Sequence, residues 1–129
     1  MRRLFLLLSL GFSTVFAAEV AKVTPAAAAQ LVADGKALLV DIREPAEWAE
    51  AGVAAPAVLL PKSDFDGEKA QWKDFLAKVG DKQIILYCRS GRRAEAVGQA
   101  LAAEGRSVAN AGGMKDWLAA GLPTREAKP

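Results

Sequence analysis

Two short, nearly unbroken apolar runs constrain this chain more than anything else in it: Ala37-Leu38-Leu39-Val40-Asp41-Ile42 and Gln83-Ile84-Ile85-Leu86-Tyr87. Neither alternates polar with apolar residues. A strand built from either is therefore buried on both faces, as in a parallel sheet covered by helices. Each run ends in polar groups, Asp41-Ile42-Arg43 after the first and Cys88-Arg89-Ser90-Gly91-Arg92-Arg93 after the second. In such folds ligands gather beyond the carboxyl ends of the strands, so both ends lie where chemistry is expected.

Helical signals separate the runs. Thr24-Pro25 reads as an N-cap followed by a first-turn proline, with Ala28, Leu31 and Val32 on one face and Gly35 as the stop. Glu44-Pro45 opens a short helix to about Ala51, with Trp48 as its apolar contact and Gly52 at its end. Ala57 to Leu60 is a further short apolar run. From Gly67 to Val79 a helical stripe of Trp72, Phe75, Leu76 and Val79 excludes Lys69, Lys73 and Lys78. Arg93 to Glu104 reads as a helix with Ala94, Val97, Ala100 and Leu101 inward, Ser107 to Asn110 as a brief strand, and Met114 to Ala120 as a last helix. This alternation predicts an α/β fold around a mainly parallel central sheet with helices on both faces.

The 129 residues suffice for one domain. Arg2 and Arg3 precede an apolar run from Leu4 to Phe16, and small residues follow at Ala17 and Ala18. This is the layout of a cleavable secretory signal over residues 1–17, cut after Ala17 or Ala18, with the mature domain over 18–129 and its core over about 23–122. The run is shorter than the ~20 apolar residues of a spanning helix, so no stable membrane anchor is expected after its removal. Removing residues 1–17 takes away two of the 17 basic residues and none of the 15 acidic ones. The balanced remainder offers no bulk charge for nucleic acid or an anionic membrane. A periplasmic location is the corresponding expectation.

Cys88 is the only cysteine, so no internal disulfide can form, and there is no histidine. The usual Ser-His and Cys-His mechanisms therefore lack their base, and a Cys/His zinc site lacks its ligands. What remains is the thiol itself. A thiolate is the reactive form, and helix N-termini and nearby cations favour it. Here a helix is expected to begin just after Arg92, so the N–H groups of residues 89–93 can converge above Cys88. Gly91 lets the backbone curl, and Arg89, Arg92 and Arg93 supply positive charge. Such a nest suits a small oxyanion carrying a sulfur centre. Cysteine-dependent phosphatases place an arginine six residues after the nucleophile. That position is Ala94, and the six-residue span from Cys88 to Arg93 has few donors for a phosphoryl group.

Three segments carry a resemblance to a known family: Val40-Asp41-Ile42-Arg43-Glu44-Pro45 with Trp48, Tyr87-Cys88-Arg89-Ser90-Gly91-Arg92-Arg93-Ala94, and Asn110-Ala111-Gly112-Gly113-Met114-Lys115-Asp116-Trp117. In order and spacing the chain resembles the single-domain rhodaneses, which are sulfurtransferases, and is most similar to the small exported kind typified by phage shock protein E. The resemblance implies a three-layer domain in which Cys88 takes sulfane sulfur from thiosulfate or another donor, becomes a persulfide, and passes the sulfur to cyanide or a thiol. A thioredoxin-like protein is one candidate acceptor. No cofactor or metal is implied. Arg89, Ser90, Gly91, Arg92 and Arg93 would bind substrate, Asp41 would brace the loop or an arginine, Arg43 would pair with an acidic side chain, and Trp48 and Trp117 would anchor the core.

Many relatives carry Gly-His-Ile after the aromatic of the short helix, whereas this chain reads Ala51-Gly52-Val53-Ala54-Ala55-Pro56, without the histidine and one residue longer before Pro61, which leaves the pocket rim and the surroundings of Asp41 open. Two other readings also stand: a persulfide carrier or thiol-redox partner loaded by another protein, and an idle rhodanese-like interaction module.

Overall fold

A computed structural model describes Gly11 and residues 19–127. The expected secretory signal, apart from Gly11, lies outside the described residues. In order the elements are β1 (Ala21–Lys22), α1 (Pro25–Ala33), β2 (Ala37–Asp41), α2 (Pro45–Ala51), β3 (Val53–Ala54), β4 (Val58–Leu59), α3 (Lys62–Asp66), α4 (Ala70–Lys78), β5 (Gln83–Cys88), α5 (Arg92–Ala103), β6 (Val108–Gly113), α6 (Met114–Ala119) and β7 (Thr124–Arg125). Five strands form one parallel sheet in the order β1-β6-β5-β2-β4, and β3 pairs antiparallel with β7 in a small second sheet.

Both apolar runs are central strands of the large sheet, and strand periodicity divides their side chains between two cores. Val40, Ile84, Leu86 and Cys88 face one side with Phe65, Trp72, Ala94, Val97 and Leu101. Leu39, Ile85 and Tyr87 face the other with Ala28, Met114 and Trp117. The sheet is thus covered on both faces, with α3, α4 and α5 on one and α1 and α6 on the other.

The local signals explain most boundaries. Thr24 Oγ1 accepts the Ala27 N–H at 3.1 Å and caps α1. Gly52 ends α2 at φ 74°, and a side chain there would meet the Arg125 carbonyl oxygen at 2.9 Å. Three expectations are corrected. The helix anticipated from Gly67 begins only at Ala70, because Lys69 sits in the left-handed region at φ 58°. The shorter α3 precedes it, and Asp64 on α3 caps α4 by accepting the N–H groups of Gln71 and Trp72 at 3.1 and 3.0 Å. Ala100 is exposed, and Gly98 is buried instead, close against Val20. Finally, β6 runs on to Gly113 through a register shift: Leu86 pairs with Asn110 but Cys88 with Gly113, so β6 carries one extra residue.

Candidate active site

The parallel pairing of β2 with β5 places their carboxyl ends side by side, with Asp41 opposite Tyr87. Asp41 and Arg43 are both buried, and Arg43 turns back on its neighbour. Its Nη2 donates to Asp41 Oδ2 at 2.8 Å and its Nε to Oδ1 at 3.1 Å, while its backbone N–H also donates to Oδ1 at 2.9 Å. Burial works against the Arg43 charge, but the hydrogen bonds and charge of Asp41 outweigh it and raise the guanidinium pKa. Arg43 Nη2 also donates to the Gly52 carbonyl at 2.7 Å, which ties the start of β3 to the end of β2. This pair is structural: it uses up both charges and holds the turn between β2 and α2.

Val53, which follows α2, lies fully buried in β3. Its backbone neighbour Ala54 donates its N–H to the Tyr87 hydroxyl at 3.0 Å. Burial pushes the Tyr87 phenol up, and the nearby Asp41 charge adds to the shift. Tyr87 therefore stays neutral and joins the two sheets.

Cys88 ends β5 with its side chain 0% exposed. Gly91, at φ 93°, directs its N–H to Cys88 Sγ at 3.0 Å from the first position before α5. A non-glycine residue would be strained at that φ, and its Cβ would also stand 3.2 Å from Gly112 Cα. The loop rests on Gly113, whose hypothetical Cβ would collide with the Arg89 carbonyl oxygen and lie 2.7 Å from its carbon. The segment Gly112-Gly113 is thus a floor that admits no side chain.

The loop arginines differ. Arg93 donates to both oxygens of Glu47 at 2.7 and 2.9 Å, and this pairing, aided by the adjacent Cys88 sulfur, raises the Arg93 pKa. The same hydrogen bonds hold the Glu47 carboxyl below its ordinary value. Arg89 and Ser90 are exposed, as is Arg92 at the first position of α5. Arg89 lines a cavity of about 420 Å³ together with Arg43, Glu47, Glu50, Met114 and Lys115. Ser90 and Gly91 line a second cavity, of about 660 Å³, with Lys22, Glu95, Asn110 and Asp116.

Glu47 escaped the sequence reading as a site residue. Its spacing from Glu44 was the available signal, since its carboxylate also accepts the Glu44 N–H at 3.2 Å at the start of α2. Trp117 is a core anchor, with its Nε1–H donating to the Pro123 carbonyl at 2.9 Å. Trp48 is only half-buried, and its buried Nε1–H has no partner among the described residues.

A five-stranded parallel sheet with helices on both faces, and a cysteine at a central strand end beneath a glycine-turned loop, define a rhodanese-type domain. The chain belongs to the Rhodanese-like domain family, which it matches over residues 24–120. No curated protein sequence matches it. Among solved structures it is similar to the polysulfide-sulfur transferase homodimer of Wolinella succinogenes, at 25% identity over 87% of this chain and 82% of that one, with a TM-score of 0.66. The thiosulfate sulfurtransferase of Pseudomonas aeruginosa is also 25% identical over 87% of this chain, with a TM-score of 0.65, but the match spans 20% of that chain. Reduced CoADR-RHD of Bacillus anthracis is 28% identical over 76% of this chain and 16% of its own, with a TM-score of 0.62. This chain therefore corresponds to only a small part of the latter two proteins.

Proposed function

We propose that this protein is a sulfurtransferase that carries sulfane sulfur as a Cys88 persulfide, in the manner of an exported, periplasmic thiosulfate sulfurtransferase of the phage shock protein E kind. The observation that carries this reading is the Gly91 N–H held 3.0 Å from Cys88 Sγ with the Arg93 guanidinium beside it. A hydrogen-bond donor and a cation stabilise negative charge on sulfur, both on the attacking thiolate and on the persulfide it becomes. The sulfur-transferring relatives support the same chemistry.

In the first step the Cys88 thiolate attacks the outer sulfur of thiosulfate. A new S–S bond forms, the old one breaks, and sulfite leaves with the bonding electron pair. In the second step cyanide or an acceptor thiolate attacks the outer persulfide sulfur, and the Cys88 thiolate is the leaving group. No net oxidant is needed.

The anionic donor approaches from the Arg89 side. In that cavity Arg43 and Glu47 are already paired, which leaves Arg89 and Lys115 against Glu50. On the other side of the loop Glu95 and Asp116 outnumber Lys22. Because Cys88 is fully covered, the loop side chains must shift for the donor to reach it.

Intact mass of the protein after thiosulfate treatment tests the reading. The expected result is a gain of one sulfur atom, removed by cyanide and absent in Cys88→Ser. Loading of Cys88→Ser to the same extent would overturn it. Loading by a protein persulfide, with none from thiosulfate, would favour the carrier reading instead.

A further inference from the structure

We infer that Asn110 is a positioning residue for Cys88: its side-chain amide fixes the Gly91 peptide units so that the Gly91 N–H points at the sulfur. The inference rests on the sulfur-transfer reading of Cys88 but is argued from contacts of its own. Asn110 Nδ2 donates to the Gly91 carbonyl at 2.9 Å and to Glu95 Oε2 at 3.2 Å. Its Oδ1 accepts the Gly112 N–H at 2.9 Å. The three contacts assign the amide orientation, because two acceptors face the nitrogen and one donor faces the oxygen.

The arrangement depends on the extra residue in β6. Asn110 still pairs in register with Leu86, whereas Gly113 has moved up to stand opposite Cys88. Bulges of this kind re-aim side chains beside active sites. The intervening turn passes through Gly112 at φ 84° and brings the Gly112 N–H back onto the Asn110 side chain. The amide therefore bridges the floor of the loop and its crest.

Gly91 has few other restraints. Its carbonyl accepts the Glu95 N–H at 3.0 Å, the first hydrogen bond of α5, but that contact leaves the Ser90–Gly91 peptide free to rotate about Gly91 φ. The Asn110 amide restrains the Gly91 carbonyl from a second direction, and Gly112 lies close to where a Gly91 Cβ would stand, so the glycine has little room to leave the φ at which its own N–H meets Sγ. Glu95 completes the device by accepting the second amide proton. It keeps the Asn110 side chain from turning over.

The test measures Cys88 nucleophilicity directly. Asn110→Ala is compared with the wild type by the rate of iodoacetamide alkylation of Cys88 and by thiosulfate kcat/KM. The variant is expected to alkylate roughly ten-fold more slowly than wild type. Thiosulfate kcat is expected to fall in step with that rate while KM stays within about two-fold. A folded variant whose alkylation rate stays within about two-fold of wild type would overturn the inference, as would a loss confined to KM, which reports altered access. If Asn110→Ala loses its fold, Asn110→Asp decides, since it keeps the acceptor for Gly112 while removing both donors. A wild type that alkylates but never takes sulfur from thiosulfate would sink the donor assignment, and the alkylation comparison would still decide the role of Asn110.

Discussion

Arg93 and Glu47 meet in a two-pronged ion pair across 46 residues of sequence, with N–O distances of 2.7 and 2.9 Å, and the cationic end of that pair lies beside Cys88. Both side chains are about three-quarters covered, so the pair is neither a solvated surface contact nor a fully buried one. It joins the start of α2 to the start of α5 and aims a rotamer-rich side chain at one place. A planar guanidinium held at both prongs loses little further freedom when an anion arrives.

Glu47→Ala should therefore impair chemistry more than folding. The expected loss in thiosulfate kcat/KM is about ten-fold or more, as the released Arg93 turns toward solvent, with a stability loss of only about 0.5–1 kcal/mol for a partly exposed pair. Steady-state kinetics and urea unfolding on the same preparation check both numbers. Unchanged kinetics would mean that Arg93 reaches its place without help.

The pair also has a pH signature. Arg93 depresses the Glu47 pKa below its ordinary 4.5, so the unfolded chain binds that proton more readily than the folded one. Its stabilising contribution is full above the ordinary value and is lost as pH falls through the lower, folded value. The stability gap between wild type and Glu47→Gln should hold steady between about pH 5 and 8 and narrow at more acidic pH. Urea titrations at several pH values read this directly; a gap that grows in acid would contradict it.

Gly113→Ala should disable the loop. Its Cβ would collide with the Arg89 carbonyl oxygen, and the neighbouring backbone leaves no flexible side chain to yield. A stability loss of about 1–3 kcal/mol is expected, together with failure to load sulfur from thiosulfate. Intact-mass loading and chemical denaturation test this, and full loading would show that the floor is not fixed.

Asp41→Ala should cost more stability than any loop substitution. It strands the Arg43 guanidinium in a site where the pair is 4% and 0% exposed, at an expected cost of about 3–5 kcal/mol. Denaturant unfolding of Asp41→Ala beside the double variant with Arg43→Met measures it. The double variant should recover part of the loss, since no buried charge then lacks a partner.

The parts of this molecule that could be read from sequence are those whose causes are local. The apolar runs from Ala37 to Ile42 and from Gln83 to Tyr87 announced central parallel strands, and Thr24 and Gly52 marked ends of their helices. The two-residue strands β1, β3 and β7 were not legible, because a pair of residues has no period and each is held only by a distant partner. The break between α3 and α4 was hidden for a related reason: the Trp72 stripe continues smoothly, while the interruption lies in one backbone angle at Lys69. At the site, Cys88 and its loop stood out by residue type, and Asp41 and Arg43 by their place at a strand end. Glu47 and Asn110 act through partners 46 and 19 positions away, and no spacing rule connects them.

The complete burial of the Cys88 sulfur has a chemical consequence for the lifetime of the protein. Peroxide or a bulky disulfide would have to displace the same covering loop as a compact anion. Were the sulfur ever oxidised to a sulfenic acid, the chain holds no resolving thiol with which to capture it. Rescue must then come from an external thiol, which reaches the sulfur by the same route as the acceptor of the transferred sulfur.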